Sequence, residues 1–167
     1  KLILPVLLGA SVLAAATAAQ ADESHRRDGA LNIAVIGDTP YGLKDSDTTQ
    51  FKATPAFINA INADTDVSLV LHLGDIHSGK QTCSYAYNQS IYDMWTSAPG
   101  FKSPMIYTPG DNEWTDCHKP KEGGLDPLTN LGYVRDIFFP VAGNAIAVHK
   151  PLLSQAQSFD ANFPSDA

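Results

Sequence analysis

Leu69-Val70-Leu71-His72-Leu73-Gly74-Asp75 is the stretch whose reading decides the fold. A short apolar run of this kind, bounded by a turn signal, reads as a buried strand. The glycine lets the backbone turn sharply before the aspartate. The pattern recurs on both sides. Leu31-Asn32-Ile33-Ala34-Val35-Ile36 ends in Gly37-Asp38, and Pro104-Met105-Ile106-Tyr107-Thr108-Pro109 ends in Gly110-Asp111. The second aspartate follows the first by 37 residues, and the third follows the second by 36. Such an interval accommodates one strand, one crossover helix and the joining loops. Three units in series predict an α/β fold with parallel strands, each ending in Gly-Asp. They carry three carboxylates to one edge of the sheet, where open α/β sheets bind ligands. Three carboxylates in one cleft repel one another, and a bound cation resolves the repulsion.

The strands are expected over residues 31–36, 67–73 and 105–108. The second is almost wholly apolar, as for a strand covered on both faces. The first helix is expected to start at Thr54 as cap with Pro55 in its first turn, and to bury Phe57, Ile58 and Ile61. The polar residues 45–50 before it read as loop. Residues 85–95 form a second helix, with Tyr87, Ile91, Met94 and Trp95 as its apolar stripe. Residues 114–128 read as a long loop. Leu131, Val134, Ile137 and Phe138 mark a third helix that ends before Pro140.

The chain has 167 residues, 44% hydrophobic and 17% charged, which describes one ordinary domain. Lys1 precedes an apolar stretch, residues 2–16, and then Ala19-Gln20-Ala21. This order predicts a signal peptide over residues 1–21, removed before Asp22, and so a periplasmic or secreted protein with no stable membrane anchor after processing. Residues 22–30 are polar and predict a flexible lead-in, leaving residues 31–167 as the domain. The two cysteines, Cys83 and Cys117, are expected to form a disulfide in an oxidising compartment. The formal charge of −7 becomes −8 when Lys1 is removed with the signal. An acidic domain is a poor general binder of nucleic acid, whose phosphates require Lys and Arg. Small phosphate esters remain compatible, since a cation neutralises them locally.

Asp38, then Leu71-His72-Leu73-Gly74-Asp75-Ile76, then Tyr107-Thr108-Pro109-Gly110-Asp111-Asn112-Glu113 resembles the calcineurin-like metallophosphoesterase superfamily, which includes the purple acid phosphatases. The resemblance covers residues 31–114, the N-terminal portion of such a domain, and implies a layered α/β sandwich incomplete at its C-terminal side. It implies a phosphatase, exported if the signal is present, hydrolysing a small phosphate ester through two divalent or trivalent ions, iron, zinc or manganese. By this resemblance Asp38 binds the first metal, Asp75 bridges both and Asp111 binds the second. Asn112 takes the place of a phosphate-contacting histidine, and Glu113 matches the last acidic position. His77, two residues past Asp75, is a candidate metal ligand or proton donor by its position. His118, in the long loop, is a weaker candidate, and His72 reads as a core residue. The chain departs from the family at Pro40, where a histidine is common, and at Ser78, where purple acid phosphatases carry tyrosine. Those departures, with Asn112, define the alternative: a non-catalytic metallophosphoesterase-like binding protein with a degenerate metal site.

Overall fold

Three of the apolar runs become strands in a computed structural model that describes residues 31–153. The expected signal segment and lead-in lie outside the described residues. Strands β1 (Asn32–Ile36), β2 (Val67–His72) and β3 (Met105–Tyr107) form a parallel sheet in the order β1-β2-β3. Between them run α1 (Thr49–Ala63) and α2 (Tyr85–Thr96), and α3 (Pro127–Phe138) follows β3. The expected parallel α/β fold is therefore present.

The pairing register places Ile36 beside His72, and His72 beside Tyr107. The three strands thus end on one line across the sheet. Alternate residues point to opposite faces. One face carries Ala34, Ile36, Val70, His72, Met105 and Tyr107, and packs on the helices. Ile58 of α1, Ile91 and Trp95 of α2, and Val134, Ile137 and Phe138 of α3 complete the core. Trp95 sits at its centre, with its ring 5.4 Å from Tyr107, 5.5 Å from Phe138 and 5.0 Å from His72. On the other face Ile33 and Val35 remain 41% and 56% exposed.

Helix α1 begins five residues earlier than the cap expected at Thr54. Asp47 in the polar run supplies the start, its Oδ1 accepting the Thr49 N–H at 3.2 Å. Thr54 is then interior, and its hydroxyl donates to the Gln50 carbonyl at 2.8 Å. Pro55 is also interior, where it has no N–H to donate to the carbonyl of Phe51. Burial of Thr54 and Ile58 on the core side offsets that loss. Part of the expected long loop folds as two 3₁₀ turns, Thr115–His118 and Pro120–Glu122. Asp126 caps α3 through the Thr129 N–H at 2.8 Å, and Pro127 fills its first turn. Beyond α3, Ile146 pairs antiparallel with Met105. The expected disulfide joins Cys83 to Cys117, with a Cα–Cα separation of 5.8 Å.

Candidate functional site

Because the strands end level, Asp38, Asp75 and Asp111 leave the sheet two, three and four residues beyond one line. Asp38 and Asp75 share a left-handed backbone, each with φ 54°. Non-glycine residues rarely adopt it, and it clusters at functional turns. The turns are tied together. The Asp38 N–H donates to the Gly74 carbonyl at 3.1 Å. His72 Nδ1 accepts the Gly74 N–H at 3.1 Å, so its Nε2 carries the proton and donates to the Thr39 carbonyl at 3.0 Å. Glycine is required here by close approach as well as by φ. A Cβ at Gly110 would lie 2.0 Å from Asp75 Oδ1, and one at Gly74 would lie 2.6 Å from the Gly110 nitrogen.

Asp75 sits between the other two carboxylates. Burial pushes its pKa above the usual range, and the charges of Asp111 and then Asp38 add to that; the Asn112 backbone N–H opposes it. Its Oδ1 is buried without a hydrogen-bond partner. Tyr41 reaches the same edge, its hydroxyl donating to Asp38 Oδ1 at 3.0 Å. Burial, the bond to Asp38 and the charges of Asp38, Asp75 and Glu113 push its pKa up to about 12. Tyr41 stands three residues after Asp38, on a different turn from the family's tyrosine, so the resemblance does not assign it this place.

Behind the edge, Glu113 is fully buried and its Oε1 accepts the Ile76 N–H at 2.5 Å. Burial pushes its pKa up to about 7 against the opposing pull of that N–H and of the nearby Tyr107 hydroxyl. Asn112 is held from below. Its carbonyl oxygen lies 3.4 Å from Cys83 Sγ and 3.6 Å from Cys117 Sγ. These are packing contacts, since disulfide sulfurs carry no proton. Its side-chain oxygen faces Gly79, where a Cβ would be 3.5 Å away.

A family model for calcineurin-like phosphoesterases matches residues 31–166. The chain belongs to the calcineurin-like phosphoesterase family. No curated protein matches it, and no solved structure matches it. The match extends the likeness past residue 114 to cover nearly all of the expected domain.

Calcineurin-like phosphoesterases act with metal ions, and the donor chemistry of this edge fits a hard cation. All three carboxylates supply anionic oxygen, and Asp75 Oδ1 has no partner within the protein. The set is open: among the described residues no three His, Cys, Asp or Glu side chains close around one point. Nor does His77 join this family member's carboxylate edge. It is fully buried, its Nε2–H donates to Asn88 Oδ1 at 2.6 Å, and its ring lies 4.5 Å from Tyr87. Burial pulls its pKa down to about 4, so it is neutral at pH 7. The expected proton donor is thus a packing residue in this geometry. His118 is exposed and its Nδ1 bonds the Thr115 carbonyl at 2.6 Å.

Proposed function

We propose that the chain is an exported, metal-dependent phosphoesterase that hydrolyses a small phosphate ester at the Asp38–Asp75–Asp111 edge. The observation that supports this reading is the buried, unpartnered Asp75 oxygen at the edge where all three strands end, with the charges of Asp111 and Asp38 both acting on Asp75. In this reading Asp75 is the shared ligand, Asp38 and Asp111 stand on either side, and the metals are iron, zinc or manganese. A cation bound there supplies charge neutralisation to a phosphoryl group. Tyr41 holds Asp38 in place and keeps its hydroxyl protonated at neutral pH. The Asn112 N–H favours the ionised form of Asp75, and the Asn112 side chain offers an amide to orient phosphate. Glu113 fixes the turn that carries Asp75. Export is supported by the disulfide. Among the described residues no helix is long and apolar enough to cross a membrane.

The open donor set and the inward placement of His77 favour a second reading, a binding protein that retains the fold without turnover. One experiment separates the two. The full-length gene product is purified, its metal content measured, and an aryl phosphate assayed with and without chelator. Bound metal with chelator-sensitive turnover, nearly abolished by Asp75→Asn, is the expected result. Absence of both metal and turnover establishes the binding-protein reading, and full activity of the Asp75→Asn protein removes Asp75 from its assigned role.

A further inference from the structure

A cavity of about 340 Å³ lies between the loops that carry Asp38 and Asp75. That is the size of a small-molecule site. Pro40 and Asp45 come from the loop after β1, Phe51 from α1, Thr82 from the loop after β2 and Tyr87 from α2. Two of its lining residues link it to the turns. Pro40 stands two residues past Asp38, and the Tyr87 hydroxyl donates to the carbonyl of Ile76, next to Asp75, at 3.0 Å.

Its floor and rim have opposite characters. Phe51 and Tyr87 present two aromatic rings with centroids 6.3 Å apart. Asp45 and Asp47 place two carboxylates at the rim, and among the described residues no lysine or arginine lines the cavity. Both carboxylates are fixed. Asp45 accepts from the Thr82 N–H at 2.7 Å and from the Thr82 hydroxyl at 2.8 Å. Asp47 accepts from the N–H groups of Leu43 at 3.1 Å and Thr49 at 3.2 Å. Helix N-termini usually favour anions. Here those ends are already occupied, α1 by Asp47 and α2 by Ser84, whose hydroxyl accepts the Tyr87 N–H at 3.2 Å. Aromatic rings beside fixed carboxylates attract a cation and repel a second anion.

We propose that this cavity receives the alcohol portion of the ester, and that it selects an apolar or aromatic group bearing a positive charge over one bearing a carboxylate or further phosphate. The inference rests on the phosphoesterase reading of the neighbouring carboxylate edge, and deepens it by naming the substrate class.

The test uses the full-length protein and two independent readouts. The first is equilibrium binding of phenyltrimethylammonium and of benzoate, neither of which contains phosphate. The second is kcat/KM for phenyl phosphates carrying a para-trimethylammonium or a para-carboxylate group. The cation binds at least about fivefold more tightly than the anion, and the ester ratio shifts in the same direction. Thr48 lies at the rim, is exposed, and its side chain makes no capping hydrogen bond, so Thr48→Lys brings a positive charge there without removing a cap. That variant lowers both ratios at least about fivefold. Phe51→Leu keeps an apolar floor but weakens cation binding. Equal binding of cation and anion, or ratios unmoved by Thr48→Lys, overturns the inference. Selective binding without turnover of any ester supports the cavity's selectivity and overturns the enzymatic reading. Turnover without charge preference does the reverse.

Discussion

Glu113, two residues beyond Asp111, accepts a hydrogen bond from the backbone N–H of Ile76, one residue beyond Asp75. The third turn thereby braces the second from inside the fold. Both groups are buried, so removing the acceptor leaves an unsatisfied N–H. Glu113→Ala is expected to destabilise the protein by about 1–3 kcal/mol in urea denaturation. If Asp75 is the ligand proposed above, the variant also lowers turnover by roughly 100-fold, because a displaced ligand disturbs the reacting geometry. Glu113→Gln retains an acceptor for Ile76 and keeps most of the activity. Equal losses in the two variants would show that the charge, and not the brace, is what matters.

Tyr41 restrains Asp38 from the solvent side through a 3.0 Å hydrogen bond. The bond is half-exposed, so Tyr41→Phe changes stability by less than about 1 kcal/mol. On the proposed role of Asp38 as a ligand, its effect falls on the metal instead. Loss of a group that orients a ligand weakens metal affinity by about 10–100-fold. Metal titration of the chelator-stripped protein measures this directly. Unchanged affinity would reduce Tyr41 to a loop-packing residue.

The disulfide Cys83–Cys117 closes 34 residues of chain and supports the Asn112 carbonyl. On the loop-entropy argument it stabilises the fold by about 3–4 kcal/mol. A Cys83→Ser, Cys117→Ser double variant should lose about that amount, as should the parent protein in reductant. The variant itself should not respond to reductant. The Asn112 turn rests on the sulfurs, so the variant's KM for an aryl phosphate rises more than its stability loss alone explains.

The sheet was legible in the sequence because its strands are continuous apolar runs that stop at a turn residue. Matched spacing then sufficed to place Asp38, Asp75 and Asp111 at one edge. Tertiary context decided what the sequence left open. Pro55 looks like a helix start, but the helix opens earlier, at Thr48, with Asp47 accepting the Thr49 N–H, and core burial carries the chain through the proline. Proximity to Asp75 suggested a site role for His77, yet the chain turns it inward onto Asn88, eleven residues later on α2. Tyr41 and the Phe51–Tyr87 floor depend on how loops fold over helices, which periodicity does not encode.

His77 and Glu113 titrate in opposite senses, which gives the fold a specific pH response. His77 falls from 6.5 to about 4 on folding through burial, so the unfolded chain takes up its proton first. Its contribution to stability is full above pH 6.5 and is lost as pH falls toward 4. Glu113 rises from 4.5 to about 7, so the folded chain takes up that proton first. Its contribution is full below pH 4.5 and is lost as pH rises through 7. The two shifts are of similar size, each about 3 kcal/mol at one proton, and they largely cancel between pH 4.5 and 6.5. Glu113→Gln removes the gain on the acid side and leaves the loss from His77. Metal-free Glu113→Gln protein should therefore lose stability on going from pH 7 to pH 4.5 by about 2–3 kcal/mol more than the parent. His77→Gln should show the opposite trend, gaining relative to the parent over the same interval. Urea denaturation of the three proteins at both pH values measures the difference, and parallel pH profiles would refute the assignment of these two groups.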